Sequence, residues 1–233
     1  MKRYHFAACV LLGGAIAAGC STTQVTSNPV PLQGRLARPN RILVYNFAAS
    51  AADLGPQEQG AYSDPMGAPP PDQLELGRKL GTEVARRIVD SVNGMGLSAV
   101  VGNYAAPAQP GDIVIEGHFE SVDEGSAAKR WVVGFGSGKA ELRTVVTGYV
   151  RTRDGFQRVG TGTVNSAGGK GPGLFVPIIV TAATANPIGL IISGAAKAEG
   201  QISGRTTIEG AAKRTAEAVS ERMKERFQQE GWI

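Results

Sequence analysis

Two stretches carry residues whose types and spacing could do chemistry. Residues 134–139 read Gly-Phe-Gly-Ser-Gly-Lys, and Glu116, His118 and Glu120 stand at alternate positions of Asp-Ile-Val-Ile-Glu-Gly-His-Phe-Glu. The first pattern raises phosphate binding by backbone amides, the second proton transfer by carboxylates and an imidazole. The glycine run fails the spacing that phosphate binding needs. Val133 stands where a P-loop has its first glycine, and Ala140 where the magnesium-binding hydroxyl belongs. A dinucleotide fingerprint would need glycine at Lys139, and the run leads into a strand, so it lacks a helix N-terminus to favour phosphate. Neither a nucleotide nor any other cofactor is expected. Alternation puts Ile113, Ile115, Gly117 and Phe119 on one strand face and Val114, Glu116, His118 and Glu120 on the other. His118 is therefore expected on a solvated polar face. Glu116, Glu120, Asp123 and Glu124 are read as surface acids, and no catalytic residue and no metal ligand set is expected.

The elements that must position these residues begin after the N-terminus. Lys2 and Arg3 precede an apolar run from Phe6 to Ala18, too short to cross a bilayer and closed by small residues. Residues 1–19 are expected to be a secretory signal peptide. Ala17-Ala18-Gly19-Cys20 resembles the lipobox of bacterial lipoproteins, which implies that Cys20 is the lipid-attachment residue. Ser21 at the following position implies outer-membrane sorting, with the domain on the periplasmic face. The chain has 24 basic and 20 acidic residues and loses Lys2 and Arg3 with the signal, so the mature charge is about +2 and gives no nucleic-acid surface. Cys9 and His5 leave too. With Cys20 acylated, no thiol remains for a disulfide, a metal or a nucleophile, and His118 is the one remaining imidazole.

Residues 20–40 are polar and punctuated by proline, and are expected to form a lipidated N-terminus and flexible tether. Residues 41–233 are expected to form a single α/β domain, a mixed β-sheet packed by a long central helix and a C-terminal amphipathic helix. Arg41 to Phe47 suits a buried strand. Asp72 and Glu75, after a proline run, suggest a capping box for a helix whose Leu80, Val84, Ile88 and Val92 share a face, ended by Gly94 and Gly96. Leu97–Val101, the His118 segment, Glu141–Arg153 and Phe156–Val164 suit strands, the last two joined by a turn at Asp154-Gly155. Ile208, Ala212, Thr215, Val219, Met223 and Phe227 form the stripe of the last helix.

Lys129-Arg130-Trp131 followed by Gly-Phe-Gly-Ser-Gly and a strand resembles the pattern of bacterial envelope lipoproteins grouped as domain of unknown function 4410. That group is distantly similar to curli-secretion and penicillin-binding-protein-activator lipoproteins with a domain like the N-terminal part of TolB. The resemblance implies a place and a fold, with no functional residue to carry over.

Between Lys170 and Lys197 there is no charge. Pro177, Asn186 and Pro187 interrupt any spanning helix, and the stretch is expected to pack on the body or at a subunit contact. The expected function is therefore a non-enzymatic binding or assembly module of the cell envelope, held to the membrane by its N-terminal lipid. An envelope protein or a second copy would be its partner. The alternative is a subunit of an oligomeric secretion pore using residues 174–192.

Overall fold

The computed structural model describes residues 22–29, 35–55, 57–59, 70–123, 140–167, 191–193 and 207–233. The lipobox, the glycine run and residues 174–190 lie outside the described residues, as does Glu124. The described chain is one mixed sheet with two helices. Strands β1 (Thr22–Pro29), β2 (Ile42–Val44), β3 (Ala99–Val101), β4 (Ile113–Asp123), β5 (Glu141–Arg151) and β6 (Phe156–Ala167) lie in the order β1-β6-β5-β4-β2-β3. Strand β7 (Ile191–Ser193) pairs with β4 in parallel beyond β2. Helices α1 (Pro71–Gly94) and α2 (Ile208–Glu230) pack on one face of this sheet and on each other.

The apolar periodicities dictate this layering. Leu80, Val84, Ile88 and Val92 of α1 are all buried against Ile42, Val44, Ile113, Ile115 and Phe119. Each such side chain contributes about 1.5–3 kcal/mol on leaving water. The stripe of α2 is buried from Ile208 to Phe227, with Met223 half-buried. Thr207 caps α2 by accepting from the Gly210 amide at 3.1 Å, and Gly231 ends it in the left-handed region at φ 74°. The hairpin turn joins β5 to β6 as expected, with the Thr152 amide donating to the Gly155 carbonyl at 2.8 Å.

Two expectations are corrected. The proposed capping box does not form: α1 begins at Pro71, capped by Pro70 with no side-chain hydrogen bond. Proline at the first helical position has no amide to satisfy, so a cap at Asp72 has less to do. The stretch 20–40 is also not simply a tether. Thr22–Pro29 pairs antiparallel with β6 along its whole length, from Thr22 opposite Ala167 to Pro29 opposite Gly160. Further on, the Leu36 amide donates to Glu230 at 2.9 Å, the Trp232 indole donates to the Leu36 carbonyl at 3.2 Å, and Arg38 donates to the Trp232 carbonyl at 2.7 Å. The polar composition of β1 suits an edge strand with one wet side, a place where no apolar period is required.

After β2 the pairing with β4 runs on through Tyr45 and Ala48 with one extra residue taken up between, and Phe47 is buried in the core. Its amide donates to the Gly81 carbonyl of α1 at 3.3 Å. A Cβ at Gly81 would lie 2.1 Å from the Phe47 carbonyl oxygen, and one at Gly117 of β4 would lie 2.5 Å from the Phe47 ring. Glycine is what lets helix, crossing chain and sheet come this close. An alanine in an exposed helix interior stabilises by about 1 kcal/mol relative to glycine. Gly81→Ala is expected to do the opposite and lower unfolding stability by about 2 kcal/mol in urea titration. A stabilised variant would show that the contact yields easily.

Candidate functional site

The site is on the sheet face turned away from the helices, and it starts from the alternation of β4. Ile113, Ile115 and Phe119 face the helices, while Glu116 and His118 face the other way. The faces are as the sequence implies, but the solvation is not. Glu116 is 4% exposed and His118 5%. The reason is the segment that Phe47 throws across them. Ala48 continues the pairing beside β4, its amide donating to the Gly117 carbonyl at 2.8 Å and its carbonyl accepting from the Phe119 amide at 3.0 Å.

Beyond it, Gly55 and the turn at 57–59 lie over the polar face. A 3-10 turn at Ala51–Asp53 is held to α1 by Asp53, which accepts from Arg78 at 2.7 Å. The turn at 57–59 brings Glu58, itself 4% exposed, to His118, with Oε2 3.3 Å from Nδ1. The two side chains are within hydrogen-bond reach and form an ion pair where the imidazole is protonated. Gly55 lies directly on Glu116: a Cβ there would be 2.2 Å from Glu116 Oε1 and 2.7 Å from the Tyr104 hydroxyl. Tyr104 stacks on Tyr45 with ring centroids 4.3 Å apart. Glu116 Oε2 is buried with no hydrogen-bond partner among the described residues.

This geometry sets the electrostatics. Burial, and then the neighbouring Glu58 carboxylate, push the Glu116 carboxyl up to about 7. Burial also raises the Tyr45 and Tyr104 hydroxyls, with the charge of Glu116 adding to both. Of the other expected acids, Glu120 pairs with Arg143 and Asp123 is in the backbone of β4. Glu58 as a neighbour of His118, and Gly55 and Tyr104 as neighbours of Glu116, were not legible, because they come from irregular segments without a period.

The opposite face carries the described cavity. About 340 Å³ lies between the C-terminal half of α2 and strands β4, β5 and β6, bordered by Val25 of β1, Leu36 and Trp232. Among the described residues no group of histidine, cysteine and acidic side chains is arranged to hold a metal ion, and no helix is long and apolar enough to cross a membrane.

A family model described as Domain of unknown function (DUF4410) matches residues 42–185. This chain belongs to that family. The DUF4410 match takes in β2 through β6, and so both the cavity floor and the acid–imidazole cluster. No protein of curated function matches the sequence. Two solved structures are similar at low identity. A single-residue variant of the PelC dodecamer from Paraburkholderia phytofirmans has 13% identity and a TM-score of 0.41, covering 84% of this chain and 96% of that one. A second PelC dodecamer from the same organism has 14% identity and a TM-score of 0.39, covering 66% and 86%. Likeness at this level carries nothing about assembly or function to the present chain.

The raised Glu116 gives a signed pH dependence. In the unfolded chain this carboxyl ionises near its ordinary 4.5, in the folded chain near 7. The folded state therefore binds the extra proton between those values, and stability falls as pH rises through that window, then levels off. The loss is about 3 kcal/mol, an order-of-magnitude figure. Glu116→Gln removes the ionisation while keeping the shape. Its stability relative to the parent is expected to rise between pH 5 and pH 8.5, by urea titration, with a gain of about 2–3 kcal/mol. A pH-independent difference would contradict the buried, neutral carboxyl.

Proposed function

We propose that this chain is a periplasm-facing lipoprotein of the outer membrane whose α/β domain is a binding or assembly module and not an enzyme. One observation carries binding over catalysis. Glu58, Glu116 and His118 lie on one face of the sheet, and among the described residues a cavity of about 340 Å³ lies on the other. These three side chains are buried, with Gly55 and Tyr104 against Glu116, whereas the cavity is lined mainly by aliphatic and aromatic side chains and glycine. Acid–base catalysis needs its proton-transfer groups within hydrogen-bond reach of the reacting atom. A site with the space on one side of a sheet and the chemistry on the other favours holding a ligand over transforming it.

Anchoring rests on the lipobox pattern and on the position of β1. Strand β1 begins at Thr22, two residues after Cys20. A lipid on Cys20 would thus join the edge of the sheet almost directly, at the end where Ala167, Glu141 and Asp123 are aligned by register. Such an attachment suits a body that works close to the bilayer surface. The alternative of a secretion-pore subunit draws on residues 174–192, of which only Ile191 and Ile192 are described, in the backbone of β7.

In cells fed labelled palmitate, the native chain is expected to take up label and to fractionate with outer-membrane vesicles. Cys20→Ser is expected to lose both, since no second anchor is proposed. Quantitative retention of the Cys20→Ser chain in the outer membrane would defeat the lipoprotein reading.

A further inference from the structure

Helix α2 packs unequally along its length. In its N-terminal half Ala211, Ala212, Thr215 and Ala216 are all buried, and the Thr215 hydroxyl donates to Ser166 Oγ of β6 at 2.8 Å. Small side chains let this half lie close on the sheet. From Val219 onward larger residues turn inward, with Met223 half-buried and the Phe227 ring tilted against Trp232 at a centroid distance of 5.3 Å. On the strand side Gly148 of β5 presents no side chain to this half, although a Cβ there would meet nothing closer than 3.3 Å. Large residues on the helix and a missing one on the floor leave the 340 Å³ cavity between them.

The walls decide what can enter. Ile115, Val146, Val159, Val219, Met223 and Phe227 make them apolar, so water inside finds few partners. The cations at the rim are already engaged. Arg222 donates to Ser27 Oγ at 2.7 Å and pairs with Glu225, while Arg226 pairs with Glu230 at 2.6 Å. Charge at the mouth therefore selects little, and apolar contact selects most. The space is a gap between one helix and one sheet, and its volume of about 340 Å³ is on the scale of a single small apolar ligand.

We propose that this cavity binds a single aliphatic chain, of the class found in fatty acids, fatty alcohols and lysolipids. The inference deepens the binding-module reading and rests on it, but it does not depend on the lipid at Cys20. Binding is driven by methylene burial. Each added methylene tightens it about fourfold until the slot is full. Head-group charge changes it by no more than about fivefold, the range of an exposed ion pair.

The test is calorimetric titration of the full mature chain carrying Cys20→Ser, so that no covalent lipid competes. Octanol, decanol and dodecanol are the probes, with dodecanoate beside dodecanol to read the head group. Saturable binding of one chain per protein is expected, tightening through the series and little changed by salt. Met223→Trp and Val146→Phe fill the slot and are expected to weaken dodecanol binding at least tenfold without lowering the melting temperature. If either variant fails to fold, the chain-length series on the parent decides alone. Absence of binding by any probe, including the case in which the chain's own residues fill the slot, would overturn the proposal. So would folded slot-filling variants that bind like the parent, or binding that requires the carboxylate. No binding by a chain that still takes palmitate at Cys20 removes the ligand class and leaves the lipoprotein reading intact. Binding by a chain whose Cys20→Ser form stays in the outer membrane does the reverse.

Discussion

The placement of Phe47 between α1 and β4 is the contact on which the arrangement turns. Its backbone meets Gly81 of the helix, its amide bonding the Gly81 carbonyl, and its ring lies on Gly117 of the strand. Three elements approach here more closely than any side-chain-bearing residue at 81 or 117 would permit. The regular register of β2 stops after three residues, and pairing with β4 resumes at Ala48 opposite His118 with one extra residue taken up between. Beyond Ala48, Gly55 and Glu58 come to lie over the far face of β4. A local demand of packing thus decides which polar groups of the sheet are wet and which are dry.

That crossing divides the molecule into two unlike faces. On the helix side the core is continuous, and it opens into a slot only where α2 carries larger residues and β5 carries Gly148. On the other side two carboxylates and an imidazole are buried together under a short irregular segment. Burial of this kind is costly unless groups are paired or neutralised. Glu58 meets His118, whereas Glu116 keeps an unpartnered oxygen and is held neutral up to about 7. The segment is fastened at two points, by Asp53 to Arg78 and by Glu58 to His118. Glu58 thus ties this segment to β4 through His118, on the face opposite the slot.

Much of this was legible in the amino acids because period reports burial. Leu80, Val84, Ile88 and Val92, the stripe from Ile208 to Phe227, and Ile113, Ile115 and Phe119 of β4 each bury the face that their spacing marks, whereas β5 buries Leu142 on one face and Val145 and Thr147 on the other. What alternation cannot report is a cover. Glu116 and His118 occupy the face expected for them, yet the residues that shield them come from the crossing segment and from Tyr104, where nothing repeats. Strand β1 was hidden for a related reason. Its Thr, Gln and Ser residues suit an edge with one exposed side, and such a strand has no apolar signature. The tie between Leu36, Arg38 and the C-terminal Trp232 is also invisible locally, since it joins residues from opposite ends of the chain.

The central claim is that the crossing at Phe47 seals the far face of β4 as part of the core. Native-state hydrogen exchange of the Ala48 and Phe119 amides, which bond across that crossing at 2.8 and 3.0 Å, addresses it most directly. If the seal belongs to the core, both amides exchange only through global unfolding, with the same opening free energy and denaturant dependence as Ile88 in α1. Exchange of Ala48 and Phe119 through a separate, low-energy opening that leaves Ile88 protected would contradict the account.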